Sequence, residues 1–583
     1  MTGWQFWIDR GGTFTDIVAR DPSGHLATKK LLSENKDRYK DAALAGIAEF
    51  LCLPPGSPIP SGVIDSVKMG TTVATNALLE RKGAPALLLV NRGFADLLRI
   101  GNQARPRIFD LDIRLPSMLY TEVAEVSGRT DINGAVLEPL DEEAALATLR
   151  AACAAGIASV AIALIHAWKY PAQEQRLGAL AHMAGFTQIS LSHISSPLLR
   201  LVPRGDTTVA DAYLSPILQH YVAQVSQGLN GAELSFMQSH GGLARADCFS
   251  GKDAILSGPA GGINGAARTA ALAGFTAIIG FDMGGTSTDV ALYNNAFERS
   301  FETEIAGVRL RAPMLAINTV AAGGGSILSF DGARLRVGPE SAGASPGPAA
   351  YRNGGPLTVT DANILSGKIL PDHFPAIFGP HGNQPLDAAI VRKKFIALAA
   401  QVSAASSIPR TPEQLAEGAI SIAIASMAHA IRQISVQKGL NPADFTLASF
   451  GGAGGQHACL VADELGMDRI FIHPLAGVLS AYGIGLADFL HLREQTVETP
   501  FTPEALPALT AAAQTLAAEA AAALRVQKPG ATITCTTTLH LRYSGTDTAL
   551  PIPLTTHAQM SAAFETAHRR LFGFVTAEKP LFV

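Results

Sequence analysis

The chain has 583 residues, 48% of them hydrophobic, with 45 basic and 49 acidic side chains and a formal net charge of -4. It is too long for one core and apolar enough to fill two to four domains, and its near-balanced charge leaves no electrostatic footprint for nucleic acid or an anionic membrane. Five scattered cysteines without a C-x-x-C pair argue against a zinc ribbon or disulfide framework, and no signal-like start or run of 18 uninterrupted apolar residues appears, so a cytoplasmic globular protein acting on small molecules is expected.

In chain order, residues 4–8 read as a strand that enters the octapeptide Asp9-Arg10-Gly11-Gly12-Thr13-Phe14-Thr15-Asp16, and residues 17–19 as its return. Residues 86–90 read as a strand, 142–155 as an alanine-rich helix and 157–165 as a buried strand. A second strand, 277–281, enters Asp282-Met283-Gly284-Gly285-Thr286-Ser287-Thr288-Asp289 and returns through 290–292, so the pattern D-x-G-G-T-x-T-D occurs twice. Residues 412–438 read as helix, and 446–450 as a strand opening into Gly451-Gly452-Ala453-Gly454-Gly455-Gln456-His457-Ala458 and a further helix. A linker at 500–507, a helix at 508–526 and a strand at 532–541 form a small C-terminal unit, expected to be truncated because the chain stops at Val583 inside what reads as another strand. Strands alternating with helices give an α/β fold.

Paired glycines let the backbone turn sharply and bring N–H groups up to an anion, while threonine hydroxyls add donors. Asp9 and Asp282 would repel a phosphate directly, so they make chemical sense as ligands of a Mg2+ that neutralises it. The backbones of Gly11, Gly12, Thr13, Gly284, Gly285 and Thr286, with Thr15 and Thr288, then bind phosphates. Gly451, Gly452, Gly454 and Gly455 leave bare backbone for a base or ribose, followed by a helix N-terminus. No G-x-x-x-x-G-K-[ST] loop occurs. Two phosphate hairpins and a late glycine loop resemble the actin, sugar-kinase and heat-shock-chaperone ATPase architecture, which implies two RNase H-like lobes closing over ATP.

The intervening segments resemble the hydantoinase A/oxoprolinase family over essentially the whole chain. The carriers are Gly70-Thr71-Thr72-Val73-Ala74-Thr75-Asn76 through Gly83, Arg92-Gly93-Phe94 to Gly101 with Gln103-Ala104-Arg105, Pro203-Arg204-Gly205, and Ser257-Gly258-Pro259-Ala260-Gly261-Gly262. Further carriers are Gly338-Pro339-Glu340-Ser341, Thr358-Val359-Thr360-Asp361-Ala362-Asn363 and Leu541-Arg542-Tyr543 with Gly545-Thr546-Asp547. The resemblance implies ATP-dependent hydrolysis of 5-oxo-L-proline to L-glutamate, with ADP and phosphate released. It also implies domains at 1–200 (N-terminal ATPase lobe), 201–499 (hydantoinase A-like ATPase domain) and 500–583, a hydantoinase B-like second half or subunit, and an oligomer. A sister activity on hydantoin or another lactam, a ketone carboxylase, and a non-catalytic ATP-driven clamp are the alternatives.

Other residues are read more openly. Arg92, Arg105 or Arg204 offers a fork for the substrate carboxylate, with a solvated or lobe-bridging role as the competing reading. Asp16 and Asp289 are expected to orient their hairpins through the turn N–H groups. His240 invites a general-base role that the family comparison does not favour, His457 reads as a packing or capping residue, and Gly323-Gly324-Gly325-Ser326 is either an anion-facing loop or a tight crossing.

Overall fold

The computed structural model describes residues 3–35, 38–54, 56–103 and 107–583. Two mixed sheets share one plan. In the first, the strand Trp4–Arg10 has Phe14–Arg20 and then Leu26–Leu32 antiparallel on one side, and Ile64–Thr71 and then Glu233–Met237 parallel on the other, with Leu243–Arg245 closing the edge. In the second, Ala277–Met283 has Thr288–Asn294 and Ile317–Val320 antiparallel on one side, and Thr446–Phe450 and Ile470–Phe471 parallel on the other. Each duplicated motif is therefore the turn between the first two strands of its sheet.

The central strands are apolar on both faces, as strands covered from both sides must be. Phe6, Ile8, Ile17 and Met69 are fully buried in one core, and Ile279, Phe281, Val290 and Leu447 in the other. The parallel strand Glu233–Met237 is reached through the 28-residue helix Leu201–Gly228, the crossover that parallel pairing requires. The first sheet thus takes strands from beyond residue 200, and the expected division at 200 passes through it.

A third sheet is wholly parallel, in the order Gln188–Leu191, Ser159–Ala163, Ala86–Asn91, Glu122–Val126. Its core holds Leu87, Leu149, Val160 and Leu177. The helix Glu142–Ala154 covering it starts at Asp141, whose carboxylate accepts from the Ala144 N–H, with Glu142 and Glu143 in the first turn where the helix dipole favours them.

The helix Pro412–Ile434 begins with a Thr411–Gln414 capping box. By length and composition it is apolar enough to cross a membrane, but Ile420, Ile424, Met427 and Ile431 are packed into the second core. Between the two motif-bearing sheets, the helix Ser257–Leu272 crosses Leu479–Leu486 at glycine contacts. A Cβ on Gly483 would strike the Gly261 carbonyl and the Gly265 backbone, so the crossing is set by backbone touching backbone.

The C-terminal unit packs Leu506–Gln527 and His557–Phe572 with three strands around Leu541, Met560 and Phe564. The expected closing strand is present: Phe582 pairs with Arg542, and Val583 exchanges backbone hydrogen bonds with Thr499. Its neighbour begins at Thr538 rather than 532, because residues 532–537 have strand composition but no strand beside them.

Candidate functional site

The two hairpins are built alike. In each, the first glycine N–H closes the turn on the residue three further on, Gly11 to the Phe14 carbonyl at 3.0 Å and Gly284 to the Ser287 carbonyl at 3.0 Å. Gly11 and Gly284 therefore shape the turn and have no N–H left for an anion. The next two N–H groups, of Gly12 and Thr13 and of Gly285 and Thr286, have no partner in the protein and stand at exposed tips. Thr15 and Thr288, expected among the phosphate donors, are fully buried: the Thr15 hydroxyl shares a 3.0 Å hydrogen bond with Ser33, and that of Thr288 donates to the Ala322 carbonyl at 2.5 Å. Thr15 is the second residue of its return strand and Thr288 the first of its own, and both side chains turn into the core as strand alternation allows.

Register places the two aspartates of each motif directly across from one another, Asp9 opposite Asp16 and Asp282 opposite Asp289. The second of each pair is held by the third strand, not by the turn N–H groups as expected. Asp16 forms an ion pair with its cross-strand neighbour Lys30, and Asp289 accepts from its cross-strand neighbour Thr319 at 2.5 Å.

Asp9 and Asp282 each lie against a glycine from elsewhere in the chain. A Cβ on Gly258 would stand 2.9 Å from Asp9 Oδ1, and one on Gly451 would collide with Asp282 Oδ1 and the Met283 carbonyl. Gly451 also has φ of +82°, a conformation natural only to glycine. Gly258 sits in the first turn of the helix Ser257–Leu272, which is fixed to the first sheet by Ser257: its Oγ accepts from the Thr71 N–H at 3.1 Å and donates to the Thr71 carbonyl at 2.8 Å.

The hairpins meet. Asp282 feels Asp289 of its own hairpin and Asp9 and Asp16 of the other, and with burial as the leading cause its carboxyl is pushed well above the carboxylate range. Burial, then Asp16, raises Asp9 to about 7, with Lys30 opposing. Asp9 Oδ1 is buried without a hydrogen-bond partner. Converging carboxylates that resist ionisation, one with an orphaned oxygen, are an oxygen-donor set suited to a hard divalent cation. No group of three or more His, Cys, Asp or Glu side chains among the described residues forms a protein cage.

The Gly323–Gly325 segment, left open by the sequence, is a brace: the Gly324 and Gly325 N–H groups donate to the carbonyls of Gly284 and Gly285 at 3.2 and 2.6 Å. Residues 358–363 tie this brace to the late glycine loop. The Thr360 hydroxyl donates to the Gly324 carbonyl at 2.9 Å, and Asn363 Nδ2 lies 2.7 Å from Gln456 Oε1 and 3.0 Å from His457 Nε2. In that loop Gly452 and Gly455 are exposed, and Gly452, Gly454 and Gly455 have unpartnered N–H groups. Ser257, Gly258, Thr360 and Asn363 stand in motifs visible in the sequence, but only the fold shows what they touch.

Of the arginine candidates, Arg92 and Arg204 are engaged away from the hairpins. Arg204 is buried and donates to Ser192 Oγ at 3.0 Å, the Leu198 carbonyl at 3.0 Å and the Leu164 carbonyl at 2.5 Å, so its guanidinium is committed to the interior of the first lobe. Arg92 is exposed and paired with Glu138 at 2.9 Å. Arg105 lies outside the described residues. His240 is buried, accepts from the Gly242 N–H at 3.3 Å and is lowered by burial to about 4, which leaves it neutral near pH 7. His457 is buried at the start of the helix Ala458–Leu465 without a side-chain cap bond, a packing position.

Two family descriptions match the sequence: "Hydantoinase/oxoprolinase N-terminal region" over residues 5–185 and "Hydantoinase/oxoprolinase" over residues 204–493. Curated relatives include 5-oxoprolinase 1 of Arabidopsis thaliana, 44% identical over 94% of this chain and 46% of its own length. The 5-oxoprolinase of Dictyostelium discoideum is 40% identical over 99% of this chain and 50% of its own. The caprolactamase subunit alpha of Pseudomonas jessenii is 31% identical over 99% of this chain and 85% of its own. The chain thus spans about half the length of these 5-oxoprolinases. Among solved structures, the ATP-dependent caprolactamase of P. jessenii superposes with a TM-score of 0.86 at 30% identity, covering 99% of this chain and 86% of that one. A nucleotide-free acetone carboxylase, from work on ATP-dependent acetone carboxylation, gives 0.71 at 25% identity, with 99% and 86% covered.

Proposed function

The chain belongs to the hydantoinase/oxoprolinase family, and from that premise we propose that it is the ATP-using part of a 5-oxoprolinase, hydrolysing 5-oxo-L-proline to L-glutamate with release of ADP and phosphate. The observation that carries the proposal is that two hairpins of one pattern each set an aspartate beside a glycine from a distant segment, with Asp282 of one feeling Asp9 and Asp16 of the other. Their sheets are the two RNase H-like lobes of an actin- and sugar-kinase-type ATPase on this reading. The free N–H groups of Gly12, Thr13, Gly285 and Thr286 bind the phosphates of ATP, and the backbone of Gly452, Gly454 and Gly455 faces its adenosine. Asp9 and Asp282 hold Mg2+, which when bound neutralises phosphate charge.

A five-membered lactam is a poor electrophile with a poor leaving group. Transfer of the γ-phosphoryl to its amide oxygen makes the ring carbon open to water, and the demand on the protein is chiefly positioning and charge neutralisation. Identity supports 5-oxoproline over other lactams, 44% to a 5-oxoprolinase against 31% to a caprolactamase subunit. A hydantoinase B-like second half completes the enzyme, and a reducing, cytoplasmic setting suits five free cysteines.

The test is ADP and glutamate release from a panel of 5-oxoproline, hydantoin, N-methylhydantoin and caprolactam, with the second half supplied. 5-Oxoproline should give the highest kcat/KM, and Asp282→Asn should abolish turnover on every substrate. Faster turnover of another lactam overturns the substrate, and full activity of the variant overturns the site.

A further inference from the structure

After the short helix Leu97–Ile100, the described residues 107–116 run Arg-Ile-Phe-Asp-Leu-Asp-Ile-Arg-Leu-Pro. From Phe109 to Leu115 the odd positions are apolar and the even positions charged, the period-2 signature of a strand with one face covered. Nothing covers it. Phe109 is 92% exposed, Ile108 is 66% exposed and Leu111 is fully exposed, with Ile113 and Leu115 also on the surface. The segment belongs to none of the sheets, and the N–H groups of residues 111–115 make no backbone hydrogen bond.

Contiguous exposed apolar surface of this kind marks an interaction site, and an irregular segment of strand-like pattern with a row of free N–H groups can be taken up as a strand at a partner's sheet edge. The segment is fastened at both ends: Leu98 on one side and Leu119 on the other are buried in the first core, and the Arg309 guanidinium donates to the Leu98 carbonyl at 3.2 Å. A cleft of about 370 Å3 lined by Arg99 and residues 113–118 runs beside it. Its charges are already satisfied locally, Arg107 with Asp110 at 2.8 Å and Arg114 with Asp112 at 2.9 Å. A partner therefore has to supply an apolar strip and a strand edge rather than a complementary charge.

We infer that this strip is the docking surface for the second half of the enzyme. The 5-oxoprolinases that match this chain are about twice its length, and the caprolactamase relative is named as a subunit, so a large body outside this chain is available to cover the strip whether fused or separate. The inference rests on the function proposed above only for the existence of that body. Its readout is association, so turnover and docking fail independently.

The second halves of the Arabidopsis and Dictyostelium enzymes, expressed as separate chains, are titrated onto the full 583-residue chain by analytical ultracentrifugation, with hydrogen exchange on the complex. The intact chain should bind, residues 107–116 should become protected, and the double variant Phe109→Glu/Leu111→Glu should lose at least about thirtyfold in affinity, as expected for two central apolar anchors. Val526→Glu, at an exposed apolar position on the helix Leu506–Gln527, serves as the control and should bind unchanged. Failure of the intact chain to bind either half, or equal binding by the double variant, overturns the inference. Self-association of the chain alone that the double variant abolishes overturns it in favour of a second copy of this chain.

Discussion

Replacing Asp9 with Asn should stabilise the metal-free protein while disabling it. Burial and the neighbouring Asp16 raise the Asp9 carboxyl from 3.8 to about 7 in the folded state. The folded state then holds a proton that the unfolded chain has released. Stability from this group is complete below pH 3.8, falls as pH rises through the window from 3.8 to about 7, and is gone above it. At about 1.4 kcal/mol per pH unit, the wild type is penalised relative to a neutral Asn by about 2 kcal/mol at pH 5.5 and about 4 kcal/mol at pH 8. The orphaned Oδ1 has no hydrogen bond for Asn to lose. Thermal melts without metal or nucleotide should show Asp9→Asn ahead, by on the order of 3 °C at pH 8 and by about half that at pH 5.5 for a chain of 583 residues. Magnesium and ADP should then raise the wild-type Tm and leave the variant's unchanged, since a ligand stabilises only the state it binds. A variant no more stable than wild type at pH 8, or one that retains the full nucleotide shift, refutes the reasoning.

Two further substitutions separate the cleft from the frame around it. Gly451→Ala meets both the φ of +82° and the Asp282 carboxylate, so about 1–3 kcal/mol of strain and at least a tenfold loss in nucleotide affinity by calorimetry are expected; unchanged affinity would remove Asp282 from the site. Arg204→Met deletes three hydrogen bonds and the charge facing buried Glu174, and should lower unfolding stability by about 3–5 kcal/mol in denaturant titration while leaving KM for 5-oxoproline unchanged; a selective rise in KM would return Arg204 to the substrate.

Local signals were the legible part of the sequence. Both hairpins, the late glycine loop and the helix at 412 lie where periodicity and glycine spacing put them, because each is decided within a few residues. Side-chain commitments were harder. Thr15 and Thr288 belong to the motif yet face the core, a consequence of register that the pattern D-x-G-G-T-x-T-D does not reveal. Arg204 sits in a glycine-containing segment that reads as an accessible loop, but it lies on the buried face of a 28-residue helix, whose long-range packing decides its exposure. The same holds for Gly258 and Asn363: the sequence displays the motif, and only contacts between segments about 250 and 90 residues apart assign the partner, Asp9 for one and the late glycine loop for the other.

The duplication has an energetic consequence. Each hairpin carries a half-buried cross-strand pair of carboxylates, and Asp282 of one pair feels both members of the other, with Lys30 and the Thr319 hydrogen bond to Asp289 acting against the repulsion. Without a cation, that juxtaposition forces protonation or separation, since like charges in a poorly solvated cleft cannot all ionise together. On the proposed function, a divalent ion bound with its nucleotide would reverse the sign of the interaction, drawing both aspartates to one centre. The close glycine crossing of Ser257–Leu272 over Leu479–Leu486 begins beside Asp9, with backbone touching backbone and no loop between the aspartate and the helix. On the proposed function, cation occupancy and protonation of Asp9 would be linked equilibria, so a higher pH should tighten the cation, and the cation should lower the pH at which Asp9 ionises.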